Sequence, residues 1–225
     1  MAWLSAHSLE LLLAGACVFT VLWLFKSRQS LRLTLPWAVV LGAGHVLMGV
    51  VCVKLFAVLE AGSLSAAGNM SLFGAVFFLP LLYLLGAKLS KTPVGEVFDL
   101  FTPPVIVTLA VARVNCLLTG CCLGRSIPGS DLRWPTREAE LVFYALLLGW
   151  MLTKGRQFPR GARYPLYMTW YGLFRFVTEF FRDNGTPALL HLSHLWAALC
   201  FTLGLSFYLQ LRTAKPGKES HKKHS

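Results

Sequence analysis

Of the 225 residues, 56% are hydrophobic and 14% charged, and the mean hydropathy is +0.60. Soluble domains carry about 25% charged residues, so this composition excludes an ordinary water-soluble domain and points to an all-α, polytopic membrane bundle. The net charge of +11 does not call for nucleic acid, because the basic residues of a membrane protein are expected to gather in its cytoplasmic loops.

A hydrocarbon core of about 30 Å needs about 20 apolar residues per helix. About seven stretches qualify, near 8–25, 36–58, 71–88, 99–118, 138–153, 165–181 and 190–211. They are expected to form one bundle over residues 1–211, followed by a basic, disordered tail at 212–225. Glu10 interrupts the first stretch and no small-residue cleavage site follows it, so no cleavable leader is expected. Lys26, Arg28 and Arg32 follow the first span, Lys88 and Lys91 the third, and Lys154, Arg156, Arg160 and Arg163 the fifth. Between the second and third, "AGSLSAAGN" has no basic residue. The positive-inside rule then puts the N-terminus outside and the C-terminus in the cytoplasm.

The second span carries "GAGHVLMG", whose glycines permit close helix contact. His45 within it reads either as a hydrogen-bonded structural residue or as a functional one. Lys54 and Glu60 are expected to reach the interface from the same span. Cys17, Cys52 and Cys200 lie in apolar stretches and read as small buried hydrophobes. In the fourth span, "TPP" at Thr102–Pro104 is expected to kink or interrupt the helix, because proline removes backbone donors.

The fourth span leads into "RVNCLLTGCCLGR" at 113–125. An arginine at membrane depth is costly unless paired or facing a wet cavity, so Arg113 is a candidate site residue. Gly120 and Gly124 would let the chain turn sharply and approach a ligand. Cys121 and Cys122 are adjacent, and neighbouring side chains point apart; with no second cysteine cluster and no C-x-x-C, neither a zinc site nor a redox pair is expected. Cys116, Cys121 and Cys122 read as small residues beside a polar cavity, with a reactive thiol as the alternative. Arg125, Arg133 and Arg137 follow on the side that should be poor in positive charge, which points to a ligand there. In the sixth span, Tyr171, Arg175, Glu179 and Arg182 are spaced by four, four and three and should share one helix face. Arg175 and Glu179 can simply pair; alternatively Arg113 and Arg175 jointly clamp an anionic headgroup, for which guanidinium is suited because it keeps its charge on burial.

These landmarks, in this order, resemble the bacterial prolipoprotein diacylglyceryl transferases over about residues 36–211. The segments that carry the likeness are the glycine-rich second span, "NMSLFGA", "FDLFTPPVIVTLAVARVNCLLTGCCLGR", "WPTREAELVFYALL" and "YMTWYGLFRFVTEFFR". The resemblance implies transfer of a diacylglyceryl group from phosphatidylglycerol to the lipobox cysteine of a prolipoprotein signal peptide in the bacterial cytoplasmic membrane. No cofactor or metal is implied. Arg113 and Arg175 would bind the phosphate and stabilise charge developing on it. Tyr171, Glu179 and Arg182 would complete the cavity, Asp99 and Glu140 would support its outer rim, and Gly120 and Gly124 would shape the loop.

The sequence departs from the family pattern at several points. Phe73 stands where the family usually has a histidine, Cys116 at a common asparagine, Cys121 at a common glutamate and His45 at an arginine. Trp134 and Arg137 replace a histidine and a glutamine. With the histidine gone, Glu140, Glu179 or His45 could act as the base. Two other readings stay open: an enzyme of the same fold that takes an anionic phospholipid to another acceptor, with Cys121 or Cys122 as nucleophile, and a non-catalytic lipid-binding bundle.

Overall fold

The computed structural model describes residues 7–27, 35–183 and 190–213. Seven α-helices account for almost all of them: α1 (Ser8–Lys26), α2 (Leu35–Ala61), α3 (Phe73–Ser90), α4 (Val94–Thr119), α5 (Thr136–Lys154), α6 (Arg163–Glu179) and α7 (Leu192–Thr213). Short 3₁₀ turns follow α2 at Leu64–Gly68 and α5 at Gly155–Gln157. The expected spans are thus all present as helices. Most of the expected basic tail, together with Arg28 and Arg32, lies outside the described residues.

Four helical stretches are long and apolar enough to cross a membrane: Ser8–Lys26, Val39–Ala61, Val94–Thr119 and Leu192–Thr213. Phe73–Lys88 is apolar but shorter, while α5 and α6 carry many of the polar and charged side chains. The outer surface is apolar. Helix α1 buries Ser8, Ala16, Thr20 and Leu24 while exposing Leu11, Val18 and Leu22. Three of the four buried residues of α1 are small or polar while large apolar ones face out, the arrangement a lipid solvent selects.

Helices α1 and α4 run antiparallel. Ser8 Oγ donates to Asn115 Oδ1 at 2.8 Å near one end, and Trp23 Nε1 donates to the Leu100 carbonyl at 2.8 Å near the other. The second contact bears on the expected break at Thr102–Pro104. Helix α4 continues through both Pro103 and Pro104. Pro104 has no N–H to give the carbonyl four residues earlier, that of Leu100, and the Trp23 indole supplies the missing donor. Thr102 Oγ1 meanwhile donates to the Phe98 carbonyl at 2.7 Å. A neighbouring helix can re-satisfy what proline frees, so the helix need not end there.

Helices α6 and α7 also pack antiparallel, at the closest approach backbone geometry allows. A Cβ on Gly172 would lie 2.4 Å from the Phe201 amide nitrogen, and one on Gly204 would lie 2.6 Å from that of Thr169. Five tyrosines are fully buried, Tyr83, Tyr144, Tyr164, Tyr167 and Tyr171. Tyr164 Oη ties α6 to α3 by donating to the Val76 carbonyl at 2.8 Å.

The bundle has two distinct ends. Lys26, Lys88 and Lys154 close α1, α3 and α5 at one end, where Asp99 accepts hydrogen bonds from the backbone amides of Gly161 at 2.7 Å and Arg163 at 2.9 Å. Asp99 is therefore a cap for the α5–α6 connection and lies away from the rim expected for it. Fourteen residues separate it from Arg113, about 21 Å along a helix at 1.5 Å per residue. Trp23→Phe should leave the Leu100 carbonyl without its indole donor and cost about 1–3 kcal/mol, read as a lower unfolding midpoint in detergent; an unchanged midpoint would mean the proline gap does not need Trp23.

Candidate functional site

At the end opposite Asp99, a cavity of about 500 Å³ opens between the start of α1, the α2–α3 connection, the end of α4 and the end of α6. Its walls include Phe73, Arg113, Arg175, Glu179, Arg182 and the three cysteines 116, 121 and 122. Residues drawn from four separate segments of the notable sequence thus meet in one place.

The cavity rests on a buried charge network. Arg113 on α4 is 3% exposed, Glu140 on α5 2%, Arg175 on α6 5% and Glu179 on α6 1%. The Glu140 carboxylate bridges the two arginines: Oε2 accepts from Arg113 Nε, and Oε1 accepts from Arg175 Nη1 at 2.9 Å. Arg175 Nη2 also pairs with Glu179 Oε2 at 3.0 Å, the i, i+4 contact that the helical spacing called for. Burying a single ion costs several kcal/mol, and these four coexist because each charge meets an opposite one. The expected role of Glu140 changes accordingly: it sits between the arginines and not at a rim.

Arg182 sits apart from this network. Helix α6 ends at Glu179, so Arg182 leaves the helix face predicted for it and instead forms a bridge-like pair with Gly124. It still lines the cavity. Among the described residues, no carboxylate oxygen lies within ion-pair distance of its guanidinium. Burial, reinforced by the positive charges of Arg175 and Arg113, pulls its pKa below the usual arginine value. Three guanidinium groups reach the cavity; Arg113 and Arg175 are paired with Glu140 and Glu179, and Arg182 is the one with no carboxylate of the described residues within ion-pair distance.

Tyr171 is 1% exposed, and its ring meets Phe73 edge-on with centroids 5.9 Å apart. The Arg175 guanidinium lies 5.9 Å from the centre of the Phe73 ring. A phenyl ring at this position packs against the cation but can take no proton.

The structure decides between the two readings of His45 and removes the ligand expected for the outer arginines. His45 is outside the cavity, between Tyr83 and Phe101, with Nδ1 2.9 Å from Tyr83 Oη, so it belongs to an aromatic core and not to the site. The outer arginines have protein partners in place of the ligand expected for them. Arg125 Nε donates to the Arg182 carbonyl at 3.0 Å, Arg133 pairs with Asp183 at 3.0 Å, and Arg137 donates to the Cys116 and Cys121 carbonyls at 3.4 Å. Arg125 and Arg133 hold the loop 120–135 onto the end of α6, and Arg137 ties its start to α5. Glu60, expected only to reach the interface, lines the cavity.

The glycines act on the backbone. Gly120 ends α4 in the left-handed region at φ +71°, where a side chain would be strained. Gly124 approaches Trp134 rather than a ligand: a Cβ would fall 2.1 Å from the Trp134 carbonyl oxygen. The cysteines do line a polar cavity, as expected, but their sulfurs converge within 4.8 Å of one another. Cys116 donates to Cys122 at 3.7 Å, and that hydrogen bond, with Arg182 and Arg113 nearby, holds the Cys122 thiol below its ordinary pKa against the opposing effect of burial.

The fold and the site define a membrane-spanning helical bundle with an arginine-walled cavity at one end. Residues 11–210 match the model of the prolipoprotein diacylglyceryl transferase family, and the chain belongs to that family. A phosphatidylglycerol–prolipoprotein diacylglyceryl transferase of Dehalococcoides mccartyi is 24% identical over 204 residues, which cover 80% of this chain and 78% of that protein. One of Geobacter sulfurreducens is 29% identical over 181 residues, covering 73% and 67%. The second such transferase of Clostridium perfringens is 27% identical over 171 residues, covering 68% and 66%.

Glu140→Ala should destabilise the protein by roughly 3–5 kcal/mol, because it strands two buried guanidinium groups. Glu138→Ala removes only the more exposed Arg137 pair, 3.5 Å long, and should cost about 1 kcal/mol or less. Denaturation midpoints in mixed micelles compare the two; equal losses would mean that the buried bridge is not what holds α4, α5 and α6 together.

Proposed function

We propose that the protein transfers the diacylglyceryl group of phosphatidylglycerol to the lipobox cysteine thiol of a prolipoprotein. Family membership supports the transferase class, and one observation of this chain carries the reading of its site. Arg182 brings a positive charge without a carboxylate partner, among the described residues, to a cavity already walled by Arg113 and Arg175. A phosphodiester monoanion is a fitting counter-ion for that guanidinium, which recognises phosphate by forked hydrogen bonds.

In this reaction the acceptor sulfur attacks the glycerol carbon, the C–O bond to phosphate breaks, and glycerol phosphate leaves with the electron pair. Arg182 and the free donors of Arg113 and Arg175 hold the phosphate and stabilise the charge that grows on it. Glu140 positions both arginines and is spent as a base by doing so; Glu179 is likewise paired with Arg175. Tyr171 packs the back of the site. The alternating helices and their basic ends support an orientation with the cavity on the outer face of a bacterial cytoplasmic membrane, where exported precursors arrive.

The test is reconstitution with phosphatidylglycerol and a lipobox peptide, with the peptide cysteine read by mass spectrometry. Wild type should yield the diacylglyceryl thioether, and Arg182→Ala should lower the rate by about 10²–10³. Phosphatidylglycerol bound without any thioether would overturn the transferase reading in favour of a different acceptor, and wild-type turnover by Arg182→Ala would remove the phosphate role from that residue.

A further inference from the structure

Three thiols meet on the cavity wall where the charge network does not account for them. Cys116 comes from the last turns of α4, and Cys121 and Cys122 from the loop just beyond it. All three sulfurs lie within 4.8 Å of one another, with Cys116 and Cys122 at 3.7 Å. Adjacent cysteines ordinarily point apart. Here the backbone of Cys122 adopts φ +58°, one of two positive-φ non-glycine positions among the described residues, and this turns its sulfur back toward Cys116. A side chain held in the left-handed region is uncommon and marks a position where the surrounding structure imposes it.

The spacing has a chemical meaning. Zinc–thiolate bonds of about 2.3 Å in tetrahedral geometry place sulfurs about 3.8 Å apart, close to the separation of Cys116 and Cys122. The surroundings hold the ligands in place: Arg137 donates to the carbonyls of Cys116 and Cys121 at 3.4 Å each, and Thr119 Oγ1 donates to Cys121 Sγ at 3.3 Å. Such outer contacts orient metal ligands. Three thiolates around a divalent ion leave one net negative charge, and Arg113 Nη1, 3.8 Å from Cys116 Sγ, stands beside it.

We propose that Cys116, Cys121 and Cys122 bind a thiophilic divalent metal ion of the zinc type, with the remaining coordination position open to the cavity. All three cysteines line that cavity, and three protein ligands with one open position is the pattern of a reactive site rather than a closed structural one. The role of the ion rests on the transferase reading above. The acceptor thiol loses its proton to water on binding the metal, because a coordinating thiol is deprotonated outright. Its sulfur then forms the C–S bond to the glycerol carbon as the C–O bond breaks toward phosphate, and the neutral thioether, a weak ligand, departs. This supplies the nucleophile at a site where Phe73 offers no base and the buried carboxylates of Glu140 and Glu179 are paired with arginines, which leaves Glu60 as the remaining carboxylate of the wall.

The experiment measures zinc on chelator-stripped, reduced protein by equilibrium dialysis and elemental analysis, with cobalt as a spectroscopic substitute. One equivalent should bind, cobalt should give a thiolate charge-transfer band, and zinc should raise the unfolding midpoint. Cys116→Ser, Cys121→Ser and Cys122→Ser should each weaken zinc binding on the order of 10–100-fold or more, while Cys17→Ser leaves it unchanged. Zinc retention equal in wild type and a folded triple serine variant, or no retention at all, overturns the site. Thioether formation that survives zinc removal overturns the metal's role, whereas tight zinc binding without any thioether sinks the transferase reading and leaves the metal site standing.

Discussion

The Glu140 carboxylate, shared between Arg113 and Arg175, is the interaction on which the rest of the site depends. It joins three helices, α4, α5 and α6, through residues that are each 5% exposed or less. An ion taken out of water alone would cost several kcal/mol, so the three groups are held together by the penalty for separating them. Each guanidinium has five donors, and the bridge uses only some of them. The same network can therefore be rigid on its protein side and still offer donors to a ligand on its cavity side. Arg182, held by backbone contacts to the 120–135 loop, adds the charge that the bridge does not neutralise.

Around this polar centre the bundle follows the logic of a lipid solvent. Helix α1 turns Ser8, Ala16 and Thr20 inward, with Leu24, and exposes Leu11, Val18 and Leu22, because packing rather than water exclusion holds helices together in a membrane. Backbone groups must find partners within the protein, which is why a tryptophan indole from α1 serves the carbonyl that Pro104 abandons. The close approach of α6 to α7 at Gly172 and Gly204 fixes α6, and with it the position of Tyr171, Arg175 and Glu179.

Much of the site was legible before the fold. Arg113 and Arg175 stood out because charge at membrane depth needs a reason, and the Arg175–Glu179 pair followed from helical spacing. The failures have equally specific causes. Asp99 was assigned to the rim although its place at the start of α4, about four turns from Arg113, puts it at the other end of the bundle. His45 was drawn in because it stands where the family has an arginine, whereas Tyr83 and Phe101 occupy its surroundings and leave it the structural one of its two readings. The outer arginines suggested a ligand because, Glu138 beside Arg137 apart, their partners are backbone carbonyls and Asp183, which no spacing rule reveals. The cysteines seemed unable to converge because the positive φ of Cys122 is set by how the loop returns to α6.

What the sequence determined by itself was the solvent, the helices and the family: apolar runs of spanning length, charges at helical spacing and a recognisable order of motifs are local properties of the chain. What only the tertiary structure decided was which of those polar residues share a cavity. Glu140 lies 27 residues from Arg113 and 35 from Arg175, and no local rule states that one carboxylate will serve both. Contacts of that range depend on how α4, α5 and α6 pack, and it is their packing that turns scattered arginines and thiols into one site.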